Sequence, residues 1–163
     1  MRPVLVTFLV LCGLAPASLP AAEPITLPQD VAFCMPKAEV YEQFEDPNEL
    51  NDDMADALGQ FGGVDGFYRL LFEEGRLTSI RFRFFQTPDG VTRVVRAVDK
   101  LIGASTKTKD GWSWAAGPGE TVELKGLSTT TQDQVYLVFE VPADRCASAG
   151  MSLDVTDQAK RDL

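Results

Sequence analysis

The chain has 163 residues, 45% of them hydrophobic, with 24 acidic against 15 basic side chains and a formal net charge of −9. It contains no histidine, which excludes serine and cysteine hydrolases with a histidine base and most catalytic zinc sites. The acidic balance argues against nucleic-acid binding, which needs a basic footprint.

Taken in order, Met1-Arg2 is a short positive start, Val4 to Leu11 is an apolar run too short to span a bilayer, and Leu14 to Ala22 is rich in alanine and proline. This pattern predicts a cleaved secretory signal over residues 1–22, with Ala17 as a second cleavage candidate, and hence a periplasmic or secreted protein with no membrane span after cleavage. Cys12 follows Leu11, not the small residue that lipoprotein processing requires. Residues 23–163 are expected to form a single α+β domain: an acidic helical arm (23–65), a sheet-plus-helix core (66–146) and a polar tail (147–163).

Once the signal is removed, two cysteines remain, Cys34 and Cys146. In an exported chain the simplest use of such a pair is one disulfide, here closing a loop of more than a hundred residues, worth roughly 4–5 kcal/mol on chain-entropy grounds. A redox or metal role lacks the Cys-x-x-Cys spacing and the histidines that would complete a site. No cofactor is implied.

The charge excess is local. Residues 23–65 hold eleven acids against the single Lys37, whereas residues 66–163 hold thirteen of each sign. A short helical pattern runs from Pro36 to Phe44. Leu50, Met54, Leu58 and Phe61 then recur at four, four and three residues, predicting a second helix from Asp46-Pro47 to Gly62-Gly63. Its acids, Asp52, Asp53 and Asp56 among them, are a solvated face, partners for arginines of the following hairpin, or a surface for a partner carrying basic charge. They lack the alternating pattern of a calcium loop.

Residues 66–85 predict a β-hairpin: Tyr68, Leu70 and Phe72 alternate on one run and Ile80, Phe82 and Phe84 on the next, with Glu73-Glu74-Gly75 between them as a three-residue loop. That register sets Tyr68 opposite Ile80 and Leu71 opposite Leu77. The other face carries Phe67, Arg69, Arg81 and Arg83, so it is either wet or covered by something acidic. Thr87-Pro88 and Gly103 bound a helix whose stripe is Val91, Val94, Val95, Val98, Leu101 and Ile102, leaving Arg93, Arg96, Asp99 and Lys100 solvated. After a polar loop, strands are expected at Trp112–Trp114, Thr121–Lys125 and Gln134–Val141.

The expected fold is therefore α+β, an antiparallel sheet of about five strands with a crossover helix packed on one face and an N-terminal acidic helical arm. The leading functional expectation is a small exported noncatalytic module that binds a protein or envelope component, as an inhibitor, assembly factor or accessory subunit. Trp112 and Trp114 serve either as core or as an aromatic contact surface, with Asp52, Asp53 and Asp56 as further contact candidates. The alternative is a carboxylate-based hydrolase of cell-wall or polysaccharide material, with Asp52 and Asp56 one helical turn apart. Gly117-Pro118-Gly119 is no phosphate loop, because it lacks the following lysine.

Overall fold

A computed structural model describes residues 27–117, 119–126 and 134–146. The expected signal segment and the tail beyond residue 146 lie outside the described residues. The fold is mostly β: a single eight-stranded antiparallel sheet in the order β1-β2-β3-β4-β8-β7-β6-β5. The strands are β1 (Asn48–Asn51), β2 (Met54–Phe61), β3 (Val64–Glu73), β4 (Arg76–Phe85), β5 (Thr106–Lys107), β6 (Trp112–Trp114), β7 (Thr121–Lys125) and β8 (Gln134–Glu140). Helix α1 (Lys37–Glu42) precedes the sheet, and α2 (Pro88–Leu101) connects β4 to β5. Strands β1 to β4 form one meander and β5 to β8 return from the far edge, so that β8 docks on β4.

The sheet overturns the expected α+β fold with its five strands and helical arm. The predicted helix over 46–63 is the β1–β2 hairpin and the start of the next turn. Leu50 and Leu58, counted as part of a buried helical stripe, are 45% and 68% exposed. The residues β2 does bury are Ala55, Ala57 and Phe61, at a period of two. Alanine weighs little in a search for large apolar side chains, so the four-four-three spacing of the larger ones outweighed a correct strand signal. Gly62 and Gly63, read as a helix stop, have φ of +60° and +74° and close a two-residue hairpin in which Phe61 pairs with Val64. Both central residues of that turn type need positive φ, which is why Gly-Gly suits it.

The β3–β4 hairpin also departs from its expected register. Its loop is two residues, Glu74-Gly75, both at positive φ, with Glu73 opposite Arg76. A bulge then places Leu71 opposite Ser79 while Phe72 faces Leu77, so Thr78 is the extra residue of β4. Beyond it Tyr68 faces Phe82, not Ile80. The bulge explains why Leu77, Thr78, Ser79 and Ile80 are all buried in succession, a run that strict alternation forbids.

Helix α2 matches its capping signals and most of its stripe, although Leu101, expected on the stripe, is exposed. Thr87 caps it, its Oγ1 accepting the Gly90 N–H at 3.0 Å, and Val91, Val94 and Val98 are buried. Asp99, expected to be solvated, is instead half-buried and accepts the Trp114 indole N–H at 2.8 Å and the Ser105 N–H at 3.0 Å. Strand β5 lies inside the stretch expected to be a polar loop.

One face of the sheet makes the core with α1 and α2. Tyr68, Leu70, Phe72, Ile80, Phe82, Val135, Leu137 and Phe139 are all 1% exposed or less. Aromatic edges lock the cover to it: Phe44 meets Tyr68 with centroids 5.3 Å apart and Tyr41 meets Phe72 at 5.9 Å, contacts worth about 0.5–1.5 kcal/mol each beyond burial. Residues 34–37 occupy the part of the β4 edge that β8 does not reach: Cys34 N–H donates to Leu77 O, Leu77 N–H to Met35 O, and Lys37 N–H to Gly75 O, at 2.8, 3.0 and 2.9 Å. Cys34 and Cys146 meet beside Leu77 with Cα atoms 5.0 Å apart and sulfurs at bonding distance, across 112 residues of chain.

Replacing both cysteines with serine is expected to lower the unfolding free energy by about 4–5 kcal/mol in urea titrations, given the length of the closed loop; an unchanged midpoint would show that the pair carries no link. A second expectation concerns Gly66, where an added Cβ would lie 2.5 Å from Arg83 O and 2.6 Å from Phe82 Cζ. Gly66→Ala should therefore cost on the order of 1–3 kcal/mol through overpacking, measured by the same titration.

Candidate functional site

Among the described residues no helix lies over the second face of the sheet, and register arranges its side chains in rows across the strands. One row runs Asp56 (β2), Arg69 (β3), Arg81 (β4), Val138 (β8) and Glu123 (β7); the next runs Leu58, Phe67, Arg83, Tyr136 and Lys125. These rows follow from the pleat, because the residues between them point into the core.

The electrostatics of the rows are uneven. Arg69 donates Nε–H to Asp56 Oδ1 and an Nη2–H to Asp56 Oδ2, both at 2.8 Å. This bidentate contact holds the Asp56 carboxyl below its ordinary pKa, with a smaller Coulombic contribution from Arg83, and raises that of Arg69. Lys125 pairs with Glu123 at 2.6 Å. Arg83 lies over the Phe67 ring, 5.0 Å from its centroid, a cation–π arrangement. Neither Arg81 nor Arg83 has a carboxylate at ion-pair distance among the described residues.

A concavity of about 510 Å³ lies over this region, its lining including Arg69, Arg81, Arg83, Lys125, Phe67 and Tyr136. A second, of about 440 Å³, shares Phe67 and Arg83 with it and continues towards Leu58, Phe84 and Phe85. Leu58 and Phe85 are 68% and 62% exposed, a degree of apolar exposure that marks contact surfaces when contiguous.

The residues singled out in the sequence are dispersed. Asp52 and Asp53 form the tight turn between β1 and β2, where Asp53 N–H is held by Asn51 Oδ1 at 3.0 Å. Asp56 faces Arg69 on the open sheet, and because β2 is a strand it does not lie one helical turn from Asp52. The acidic arm does not lie across the arginines: α1 packs on the opposite face, and Asp56 reaches Arg69 as a cross-strand neighbour. Trp114 is 6% exposed beneath α2, and Trp112 is half-buried beside Lys107, whose Nζ is 5.7 Å from the ring centroid. Leu58, Phe85 and Tyr136 were missed as site residues, although their alternation with buried neighbours on β2, β4 and β8 was the available signal.

Among the described residues no cluster of three or more metal-ligating side chains occurs, and no helix is long and apolar enough to cross a membrane. Comparison with protein-family models, curated protein sequences and solved structures found no match for the chain.

The Asp56–Arg69 pair has a signed pH dependence. Because the folded carboxyl titrates lower than the unfolded one, its stabilisation is present above the ordinary carboxylate range and is lost as pH falls through the lowered folded value. Both groups are partly solvated, so Asp56→Asn should cost only about 0.5–1 kcal/mol at neutral pH. The difference from the parent protein in urea unfolding should shrink as pH falls through the lowered folded value; a difference undiminished in acid would mean that the pair contributes through packing alone.

Proposed function

We propose that this chain is a small exported, noncatalytic module that binds a protein or envelope component through the open face of its sheet. The observation that carries the reading is the row of Leu58, Phe67 and Tyr136, with Phe85 beyond it, all of them large and exposed, beside two arginines, Arg81 and Arg83, that have no ionic partner among the described residues. An antiparallel sheet that leaves one face to water ordinarily lines it with polar residues. Export is supported by the signal-like N-terminus and by the cysteine pair at bonding distance, chemistry suited to an oxidising compartment. A basic partner surface, expected from the acid excess, is the weaker reading, because Asp56 is already paired with Arg69 and Asp52 and Asp53 lie apart from it in the β1–β2 turn. A carboxylate hydrolase is disfavoured as well: Asp56 is held in its ionised form by Arg69, the reverse of the raised pKa that a general acid needs.

The test is retention of material from the cell envelope by the immobilised protein, compared with Leu58→Ser/Phe85→Ser. These side chains are exposed and fold-neutral, so the doubly substituted protein should stay folded by circular dichroism yet lose retention about tenfold or more, as expected when anchors at the centre of an interface are removed. Arg96→Ala, on the exposed side of α2, should retain as the parent does. Equal loss from Arg96→Ala, or none from the open-face substitutions, would overturn the reading.

A further inference from the structure

The two concavities of the open face share Phe67 and Arg83 and so form one trough, cationic at one end and apolar at the other. The cationic end is lined by Arg69, Arg81, Arg83 and Lys125 against Asp56 and Glu140, a local positive excess in a chain of net charge −9. Arg69 is satisfied by Asp56 and Lys125 by Glu123. What remains for a ligand is Arg81, exposed at the centre of the sheet, and Arg83, steadied against Phe67. The apolar end is walled by Leu58, Phe67 and Phe85.

From this arrangement we infer that the trough docks an acidic–apolar peptide segment of a partner protein, placing carboxylates against Arg81 and Arg83 and a large apolar side chain between Leu58 and Phe85. The inference rests on the open face being the contact surface. Charge complementarity selects the segment: a guanidinium fork binds a carboxylate bidentately, and a trough that holds two cations with no ionic partner among the described residues repels cationic partners there and attracts anionic ones. The shape argues for a chain, not a compact small molecule. The cationic concavity crosses five strands from β2 to β7, about 19 Å at the usual strand spacing, and the second concavity continues from it along the strands towards Phe85 and Gln134, an elongated floor among the described residues. Bidentate pairing fixes one end of a segment and the apolar pocket the other, so the order of acid and apolar side chain sets its direction.

Selection of displayed random peptides on the immobilised mature protein tests this directly. The expected result is enrichment of sequences with aspartate or glutamate a few residues from leucine, phenylalanine or tryptophan. Recovery of those peptides should fall by about tenfold for each guanidinium removed, in Arg81→Gln and Arg83→Gln, in line with the loss of one charge-assisted contact. A lysine-substituted version of the best peptide should not bind. Basic or uncharged consensus sequences, or acidic ones retained equally by Arg81→Gln/Arg83→Gln, would overturn the acidic-segment assignment while leaving the open face as the contact if Leu58→Ser/Phe85→Ser still abolishes recovery. Peptides insensitive to both sets of substitutions would overturn the open-face reading too. A concentration-dependent dimer in sedimentation, dissociated by Arg81→Gln/Arg83→Gln, would overturn the peptide assignment in favour of a second copy of the chain.

Discussion

The structure depends on the ladder between β4 and β8. Seven pairs, from Ser79 opposite Glu140 to Phe85 opposite Gln134, join the N-terminal meander to the C-terminal one. Without that ladder each half is a four-stranded meander with its own edges. With it, β4 and β8 become central strands, and the apolar residues of both halves, Ile80, Phe82 and Phe84 with Val135, Leu137 and Phe139, close into one core. The partners lie about 50 to 60 positions apart in the chain, so the ordering of α2 and β5 to β7 is tied to closing the ladder. Where β8 ends, the exposed edge of β4 is not left open: residues 34–37 take it over from Leu77 to Gly75. The cysteine pair sits at that handover, joining the segment that finishes the β4 edge to the chain that has just left β8.

A sheet closed in this way has two unlike faces. The inner one is aromatic and buried beneath α1 and α2. The outer one inherits the alternate residues of the same strands, and these are neither uniformly polar nor arranged to cancel in charge. Arg69 is neutralised by Asp56 across the β2–β3 ladder, a cross-strand pair that favours this register, and Lys125 by Glu123 two residues earlier on β7, while Arg81 and Arg83 have no carboxylate at ion-pair distance among the described residues. The acid excess of residues 23–65 lies mostly elsewhere, on α1, on β1 and in the β1–β2 turn. Lys37, the single cation of that acidic stretch, ties the two together: its Nζ reaches Glu49 Oε1 at 2.9 Å and Asp52 O at 2.8 Å. Total charge therefore describes the rim of this molecule and not the surface that the sheet presents.

Some of this was legible in the residues themselves. The turn and capping chemistry of α2, the alternation in β3, β4 and β8, the position of the two cysteines near the chain ends and the mixed face of Arg69, Arg81 and Arg83 follow from local periods and residue types, which depend only on backbone geometry within a few residues. The misread stretch, 46–63, failed because its inward residues are Ala55, Ala57 and Gly59, too small to register against exposed Leu50 and Leu58. That choice of small residues has a tertiary cause. A Cβ at Gly59 would lie 2.8 Å from the Tyr68 ring, so the bulk filling this part of the core comes from Tyr68, Phe44 and Phe61 instead.

Sequence alone thus determined which segments could be strands or helix where large side chains alternate, the cysteine pair available for a link, and the chemistries that a chain without histidine cannot perform. Only the tertiary structure decided the order of the strands, the bulge at Thr78 that resets the β3–β4 register, and the joining of two meanders into one sheet. It also decided which exposed side chains are brought together: Asp56 with Arg69, Phe67 with Arg83, Leu58 and Phe85 around one concavity. Those side chains belong to different strands, and their meeting is fixed by long-range pairing and by the volume available in the core, quantities that no local period in the chain encodes.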